Sequence, residues 1–249
     1  GNFTYSQSEI LDNDEPDWKN LYQNRIGKPY GQLFGLEALG LFQSQEEIDN
    51  SPTQSFGAVR VGDIKYNDIN GDGLINEEDV VAIGHSNIPK INYGFGGTLQ
   101  WKGIDVSVFF QGISKVSYFL SGNSIYGFNS GSLTRAAINE DVYLNRWTEN
   151  NPNAKYPRLD SNANTNNNRN STFRMIDGSF LRFKNAEIGY TFPKKMLNGT
   201  FLKTVRVYAS GVNLLTFSNF KLWDPEQGGG EGAGYPPSRI FNVGLNVNF

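Results

Sequence analysis

Apolar residues recur on every second position in several stretches of this chain, which is the period of a half-buried or lipid-facing strand. Tyr93, Phe95, Gly97, Leu99 and Trp101 alternate with polar or small residues. After Lys102-Gly103 the pattern resumes with Ile104, Val106, Val108 and Phe110 on one face, and Asp105, Ser107 and Gln111 on the other. This predicts a hairpin with one apolar and one polar face. Ala186, Ile188, Tyr190 and Phe192 oppose Asn185, Glu187, Gly189 and Thr191, and Val205, Val207 and Ala209 oppose Thr204, Arg206, Tyr208 and Ser210. The last alternation is Phe241, Val243, Leu245, Val247 and Phe249, with Asn242, Gly244, Asn246 and Asn248 between them. Asn2–Ser6 predicts a short opening strand, and Gly31–Phe42 an extended segment.

Helical signals are few. Pro16 opens a candidate helix within Leu11–Asn24, with Trp18, Leu21 and Tyr22 on one face. Ser44-Gln45-Glu46-Glu47 has capping-box spacing for a short helix ending near Asn50. A third short helix is expected in Asn139–Trp147. Between the strands run long polar excursions, the largest over residues 112–170. Its tract Ser161–Asn168 offers nothing apolar to bury and predicts a mobile loop. The glycine-rich 217–237 stretch predicts another loop.

No apolar run approaches the ~18 residues of a membrane-crossing helix, but barrel strands need only ~9–11 residues of alternating polarity. Long excursions on one side and short turns on the other are usual for such a wall and uncommon in a compact soluble domain. The pattern therefore predicts an all-β fold: C-terminal strands of a large antiparallel transmembrane β-barrel, with long extracellular loops and short helices. A soluble sandwich has the same period. It requires the apolar rows to pack on each other, whereas the barrel requires them to face lipid.

Composition supports the strand reading: 38% hydrophobic residues, 14% aromatics and 28 glycines in 249 positions suit alternating strands and wide loops better than a helical core. A net charge of -3 gives no basic surface for nucleic acid. With no cysteine there are no disulfides, thiolate sites or thiol nucleophiles. His85 is the only histidine, in a turn-like stretch, so it cannot build a typical zinc site or a Cys–His dyad. Glu46/Glu47 and Glu77/Glu78 are adjacent and point apart, unlike a glycosidase pair. No enzyme is expected. Gly1, without an initiator Met, reads as a cloning remnant or the edge of a fragment.

One motif carries chemistry. Asp68-Ile69-Asn70-Gly71-Asp72-Gly73-Leu74-Ile75-Asn76-Glu77-Glu78-Asp79 matches a calcium loop up to its last position, where Asp79 stands for the usual Glu. Ca2+ takes oxygen ligands, and this spacing offers Asp68, Asn70, Asp72, the Leu74 carbonyl, Asn76 and Asp79. A structural calcium clip on a loop is expected rather than a sensor; the other reading is a solvated Asx-turn loop without an ion.

The string Gly62–Ile75, with Asp79 and Ile83-Gly84, resembles a hallmark of the SusC/RagA family of TonB-dependent outer-membrane transporters. Gly40–Ser44, Trp101–Asp105, Arg146–Thr148, Gly178–Arg182, Asn213–Thr216 and Asp224–Glu226 resemble further family segments in the same order, over essentially the whole chain. A terminal strand ending on an aromatic residue is likewise common in outer-membrane barrels. The resemblance implies location in the cell outer membrane, within a plugged barrel of about 22 strands of which this chain supplies a part. It implies import of oligosaccharides or peptides driven by the TonB complex, through an N-terminal part not contained here, with a SusD-like surface lipoprotein as lid and outer-membrane lipid around the wall. Residues 1–90 are expected to hold barrel strands and the loop region with the calcium loop, and residues 91–249 the C-terminal barrel strands. The rival is a soluble calcium-stabilised β-domain that binds carbohydrate at the cell surface. Under the first reading Tyr190, Phe192, Phe217, Phe220 and Trp223 are girdle candidates, and Trp147, Tyr156, Trp223 and Tyr235 are candidates for stacking on a sugar.

Overall fold

A computed structural model describes residues 1–127, 138–162 and 164–249. β1 (Asn2–Tyr5) is followed by a long excursion containing β2 (Gln32–Gly35), β3 (Ala38–Leu41), α1 (Gln45–Asp49), β4 (Thr53–Gln54), β5 (Ile64–Tyr66), β6 (Leu74–Ile75) and β7 (Val81–Ser86). The hairpin β8 (Ile91–Trp101) and β9 (Ile104–Ser114) leads into a second excursion with β10 (Ser117–Phe119), α2 (Asn123–Tyr126), α3 (Glu140–Leu144) and β11 (Met175–Asp177). β12 (Phe180–Thr191), α4 (Lys194–Leu197), β13 (Thr204–Phe217), a third excursion and β14 (Ile240–Asn248) complete the order.

Six strands form one antiparallel sheet in the order β1-β8-β9-β12-β13-β14. Its register lines up the predicted alternations. Leu99, Val106, Ile188, Ala209 and Val243 stand side by side across five strands. Gly97, Val108, Ala186, Gly211 and Phe241 form the next row, and Trp101, Ile104, Tyr190, Val207 and Leu245 the one after. The opposite face carries Thr98, Ser107, Glu187, Ser210 and Asn242 in one row. One register shift lies between Phe183 and Asn185. The extra residue, Lys184, keeps Phe183 on the apolar face, where Phe95, Phe110 and Phe183 stack with centroids 5.2 and 4.7 Å apart.

The sheet has two unlike ends. At one, Lys102 and Gly103 both have positive φ (48° and 89°) and close a two-residue turn. All three excursions leave from the other end and fold into a body with two small cores. One gathers Leu36, Leu41, Ile64, Tyr66 and Ile75, with Trp147 and Phe173 against it; the other gathers Leu120, Ile125, Val142, Tyr156 and Phe220. Ser44 caps α1 by accepting from the Glu47 amide at 3.1 Å, as its spacing predicts. Asn139 caps α3 from the Asp141 amide.

Three expectations are corrected. The helix expected after Pro16 is only a 3-10 turn, Leu21–Gln23. Glu15 accepts from the Trp18 indole (2.8 Å) and the Arg25 amide (3.0 Å), and such side-chain bonds compete with a helical ladder. The Ser161–Asn168 tract, apart from Ala163, which lies outside the described residues, is not a free loop: Asn166 and Asn167 are buried. Phe220 and Trp223 meet edge-to-face inside the second core (4.9 Å, 82°), because the chain after β13 turns back over the loop body. They form no girdle.

Candidate functional site

The apolar rows are not covered by any part of the described chain. Leu99 is 71% exposed, Val243 88% and Phe241 71%. An uncovered patch of several strands' width far exceeds what soluble monomers leave open. The sandwich expectation, in which these rows pack on each other, is not met: the sheet is a single layer.

The polar face carries fixed charge at its short-turn end. Arg206 on β13 bridges Asp105 on β9 (Nε to Oδ1, 3.0 Å) and Glu187 on β12 (Nη2 to Oε1, 2.6 Å). The guanidinium lies flat on Gly189, where a Cβ would collide with it. Tyr208 covers Gly244 in the same manner, and on the apolar face Tyr93 covers Gly112. At the other end, the buried Arg182 of β12 holds Asp224 at 2.5 Å and clips the third excursion onto the wall.

Within the loop body, Asp63 is fully buried and organises a polar keystone. It accepts from Arg158 Nη2 (3.2 Å), Asn164 Nδ2 (3.0 Å), Asn167 Nδ2 (2.8 Å) and the Arg60 amide (2.8 Å). Arg158 also pairs with Asp160 at 2.9 Å. Asn166 bonds the Ile64 carbonyl and accepts from Gln54, while Tyr66 donates to the Asn166 carbonyl at 2.7 Å. Burial pushes the Tyr66 hydroxyl above its ordinary range and Arg174 below its own. Sequence reading placed Asp63 and Arg182 only within family-like segments and did not name Arg158 or Arg174, since nothing local marks a charge that will be buried by a segment distant in the chain.

The residues of the Asp68–Asp79 motif form a closed loop. Asp68 accepts from the Gly71 and Gly73 amides, each at 2.8 Å. Asn70 Oδ1 accepts from the Asp72 amide (3.0 Å), and Asp72 Oδ1 from the Leu74 amide (2.8 Å). The buried Asp79 carboxylate accepts from Ile69 and Asn76, each at 2.8 Å, while Asn76 caps the 3-10 turn Glu77–Asp79 by accepting from Glu78. Gly71 and Gly73, at φ 72° and 81°, allow the turn. Lys19 reaches in from the start of the excursion and pairs with Glu78 at 2.6 Å. The donors are all oxygens, as Ca2+ requires, and each carboxylate oxygen bonded to one amide retains a free lone pair. Among the described residues, however, no three acidic or histidine side chains converge on one point.

His85 lies in β7 rather than in a turn, exposed, with its backbone amide donating to Ser117 Oγ at 3.1 Å. Of the aromatics proposed for ligand stacking, Tyr156 is buried in the second core, with its hydroxyl on Asp141 at 2.7 Å. Trp147 packs over Gly62 against the first core, and only Tyr235 is fully open. A cavity of about 250 Å³ between the second core and the strand ends is lined by Tyr156, Phe173, Met175 and Phe220, with Lys155 and Lys221 at its polar side.

No protein-family model matches the chain. It is 35% identical to TonB-dependent receptor P26 of Formosa agariphila over 244 residues, covering 90% of this chain and 23% of that protein. It is 30% identical to TonB-dependent receptor P3 of the same organism, over 100% of this chain and 24% of the relative. The chain thus spans about a quarter of the length of the curated relatives it matches. Among solved structures, the RagAB peptide transporter superposes with a TM-score of 0.66 at 24% identity, over 90% of this chain and 23% of that one. The RagAB peptide importer in its 'open-open' state gives 0.62 at 23% identity. These two likenesses show the fold.

Proposed function

We infer, for a chain that belongs to the SusC/RagA-like TonB-dependent receptors, a share in nutrient import across the outer membrane: one stretch of barrel wall with the extracellular body above it. Its relatives are receptors and not enzymes. The observation that carries the import reading is the sheet with an uncovered apolar face and a polar, charged face, since a wall between lipid and a wet lumen requires both. The wall works by exclusion: its outer rows dissolve in hydrocarbon, its inner strands satisfy one another's amides, and its inner face presents hydroxyls, amides and the Arg206 pair to the solute path.

The whole receptor's cargo is proposed to be an oligomeric nutrient, oligopeptide or oligosaccharide, taken up with energy from the TonB complex and with a SusD-like surface lipoprotein as lid. The likeness to a peptide importer supports the peptide arm. The 250 Å³ cavity is mainly apolar, with Lys221, Asp177 and the Asp141-paired Lys155 at its edge, and suits an apolar side chain. Disruption of the gene in its own host should abolish uptake of labelled oligomers of one class; undiminished uptake of both classes contradicts the reading.

The Asp68–Asp79 loop is proposed to hold Ca2+ through Asp68, Asn70, Asp72, the Leu74 carbonyl, Asn76 and Asp79. The all-oxygen donor set and the amide-oriented carboxylates support this. The acids must draw together for it, while Lys19 can keep its pair with Glu78, which is not a ligand. Bound ion would brace the first excursion against the polar keystone. A melting temperature of the loop body that rises with Ca2+ and falls with chelator supports it; identical melting in both contradicts it.

A further inference from the structure

The turns at the short-turn end of the sheet carry lysines and no acidic residue, while the Asp105–Arg206–Glu187 cluster lies on the polar face beside them. Lys102 sits in the β8–β9 turn, Lys194 and Lys195 in α4, and Lys203 just before β13. Hydrogen bonds gather these turns on one rim: the Thr191 amide donates to the Gly103 carbonyl (2.7 Å), Phe192 to Val205 (2.9 Å) and Lys203 to Asn248 (2.8 Å). All four lysines are exposed, and none takes part in an ion pair among the described residues. No acidic residue lies in 101–104 or 191–204. The nearest carboxylates, Asp105 and Glu187, are held by Arg206. The loop body at the other end is different: there lysines and arginines pair with acids, as in Lys65–Glu47, Lys155–Asp141 and Arg158–Asp63.

The lysines are interleaved with uncovered apolar side chains. Trp101, Met196, Phe201 and Phe249 are each more than 60% exposed. Phe201 and Phe249 stack with centroids 5.6 Å apart, and the Lys102 ammonium lies 4.8 Å over the Trp101 ring. A simple solvated rim would have no reason to hold aromatics outward beside its charges. Directly above lies the row Trp101, Ile104, Tyr190, Val207 and Leu245. Aromatics at the edge of an apolar band mark the membrane interface, and lysines there extend their stems along the rings to reach the headgroup layer.

We propose that this rim is a binding surface for anionic phospholipid headgroups of the leaflet at the short-turn side. The phosphates pair with Lys194, Lys195, Lys203 and Lys102, while Trp101, Phe201 and Phe249 lie at the glycerol level. The inference rests on the barrel-wall reading above. Each lysine that reaches an anionic headgroup shifts lipid partition on the order of fivefold, so the cluster selects charge and not merely hydrocarbon.

The test is native mass spectrometry of the full receptor, purified in detergent and exchanged against equimolar phosphatidylglycerol and phosphatidylcholine. The receptor should retain phosphatidylglycerol several-fold over phosphatidylcholine. Joint Lys194→Gln, Lys195→Gln and Lys203→Gln replacement should equalise the two, and Arg at the same positions should restore the preference. Equal retention by the unaltered receptor overturns the proposal, as does a preference that survives the Gln variant. If the Gln variant fails to assemble, the ratio for the unaltered receptor and that for the Arg variant decide. Retention of neither lipid likewise overturns the proposal, whereas failure of the barrel-wall reading shows as a receptor that does not insert into liposomes, so the two failures are distinguishable.

Discussion

The side-chain amide of Asn167 donates to Asp63 Oδ1 at 2.8 Å, joining positions 104 residues apart. Both residues are buried, one from the first excursion and one from the second. The bond makes two polar excursions into one body, where the sequence alone suggests loose loops. Replacing Asp63 by Asn leaves Arg158 with Asp160 as its only acid. The change also removes the acceptor that serves the Arg60 amide and Arg158 Nη2, and each donor left unpaired costs about 1–3 kcal/mol, so the total exceeds that of a single lost bond. Asn167→Ala removes hydrogen bonds without stranding a charge and should cost about 1–3 kcal/mol. Limited proteolysis of the receptor's surface loops should follow the same order, with cleavage fastest for Asp63→Asn.

Acid should loosen the same body. The Gln43 amide and Lys65 hold Glu47 below its ordinary 4.5, and Lys155 and Tyr156 hold Asp141 below its ordinary 3.8. A carboxylate with a depressed folded pKa contributes stability that is present above its unfolded value. That stability is lost as pH falls through the folded value. Melting temperature is therefore expected to be flat between about pH 7 and 5 and to drop below about pH 4. The drop should shrink in a Glu47→Gln, Asp141→Asn variant.

Gly189 and Arg206 should behave as one unit. A side chain at 189 must displace the guanidinium from Asp105 and Glu187, and overpacking of this type costs about 1–3 kcal/mol. Arg206→Met frees the space but leaves two acids facing each other across the strands. The double variant, Gly189→Val with Arg206→Met, should then cost less than the sum of the two single ones. Urea midpoints of the four proteins give the coupling directly.

The two faces should differ in their tolerance of charge. Val243→Arg places a cation in the uncovered row and is expected to destabilise by about 2–4 kcal/mol near the bilayer midplane. Asn242→Arg, one residue away on the polar face, should be nearly neutral. Heat-modifiable mobility of the folded barrel on gels reports both.

Strands were legible in the sequence because their signal is local: a period of two over 9 to 14 residues survives whatever lies beside it. The rows of β8, β9, β12, β13 and β14 follow that reading residue by residue. The Ser44 cap was legible because its spacing is equally local, and so was the short helix that Asn139 opens. The loop body was not. Asn166 and Asn167 look like a solvated tract because their partners, Gln54, Asp63 and Ile64, lie about 100 residues away. Phe220 and Trp223 misled in the opposite direction, since aromatics near a strand end suit a girdle or a core equally until the chain's return path is known. The calcium motif was plain as a pattern, whereas the closing of its carboxylates on the loop's own amides is a matter of geometry.

The central claim is that the row Leu99, Val106, Ile188, Ala209 and Val243 faces lipid and its neighbours face water. This chain has no cysteine, so single cysteines at Val243 and Asn242, in an otherwise cysteine-free receptor, can each carry one spin label. Collision rates with oxygen and with a water-soluble nickel chelate, measured in liposomes, separate the two environments. The label at 243 should be relaxed by oxygen and shielded from nickel, with the reverse at 242. Equal access of nickel to both positions would contradict the barrel wall.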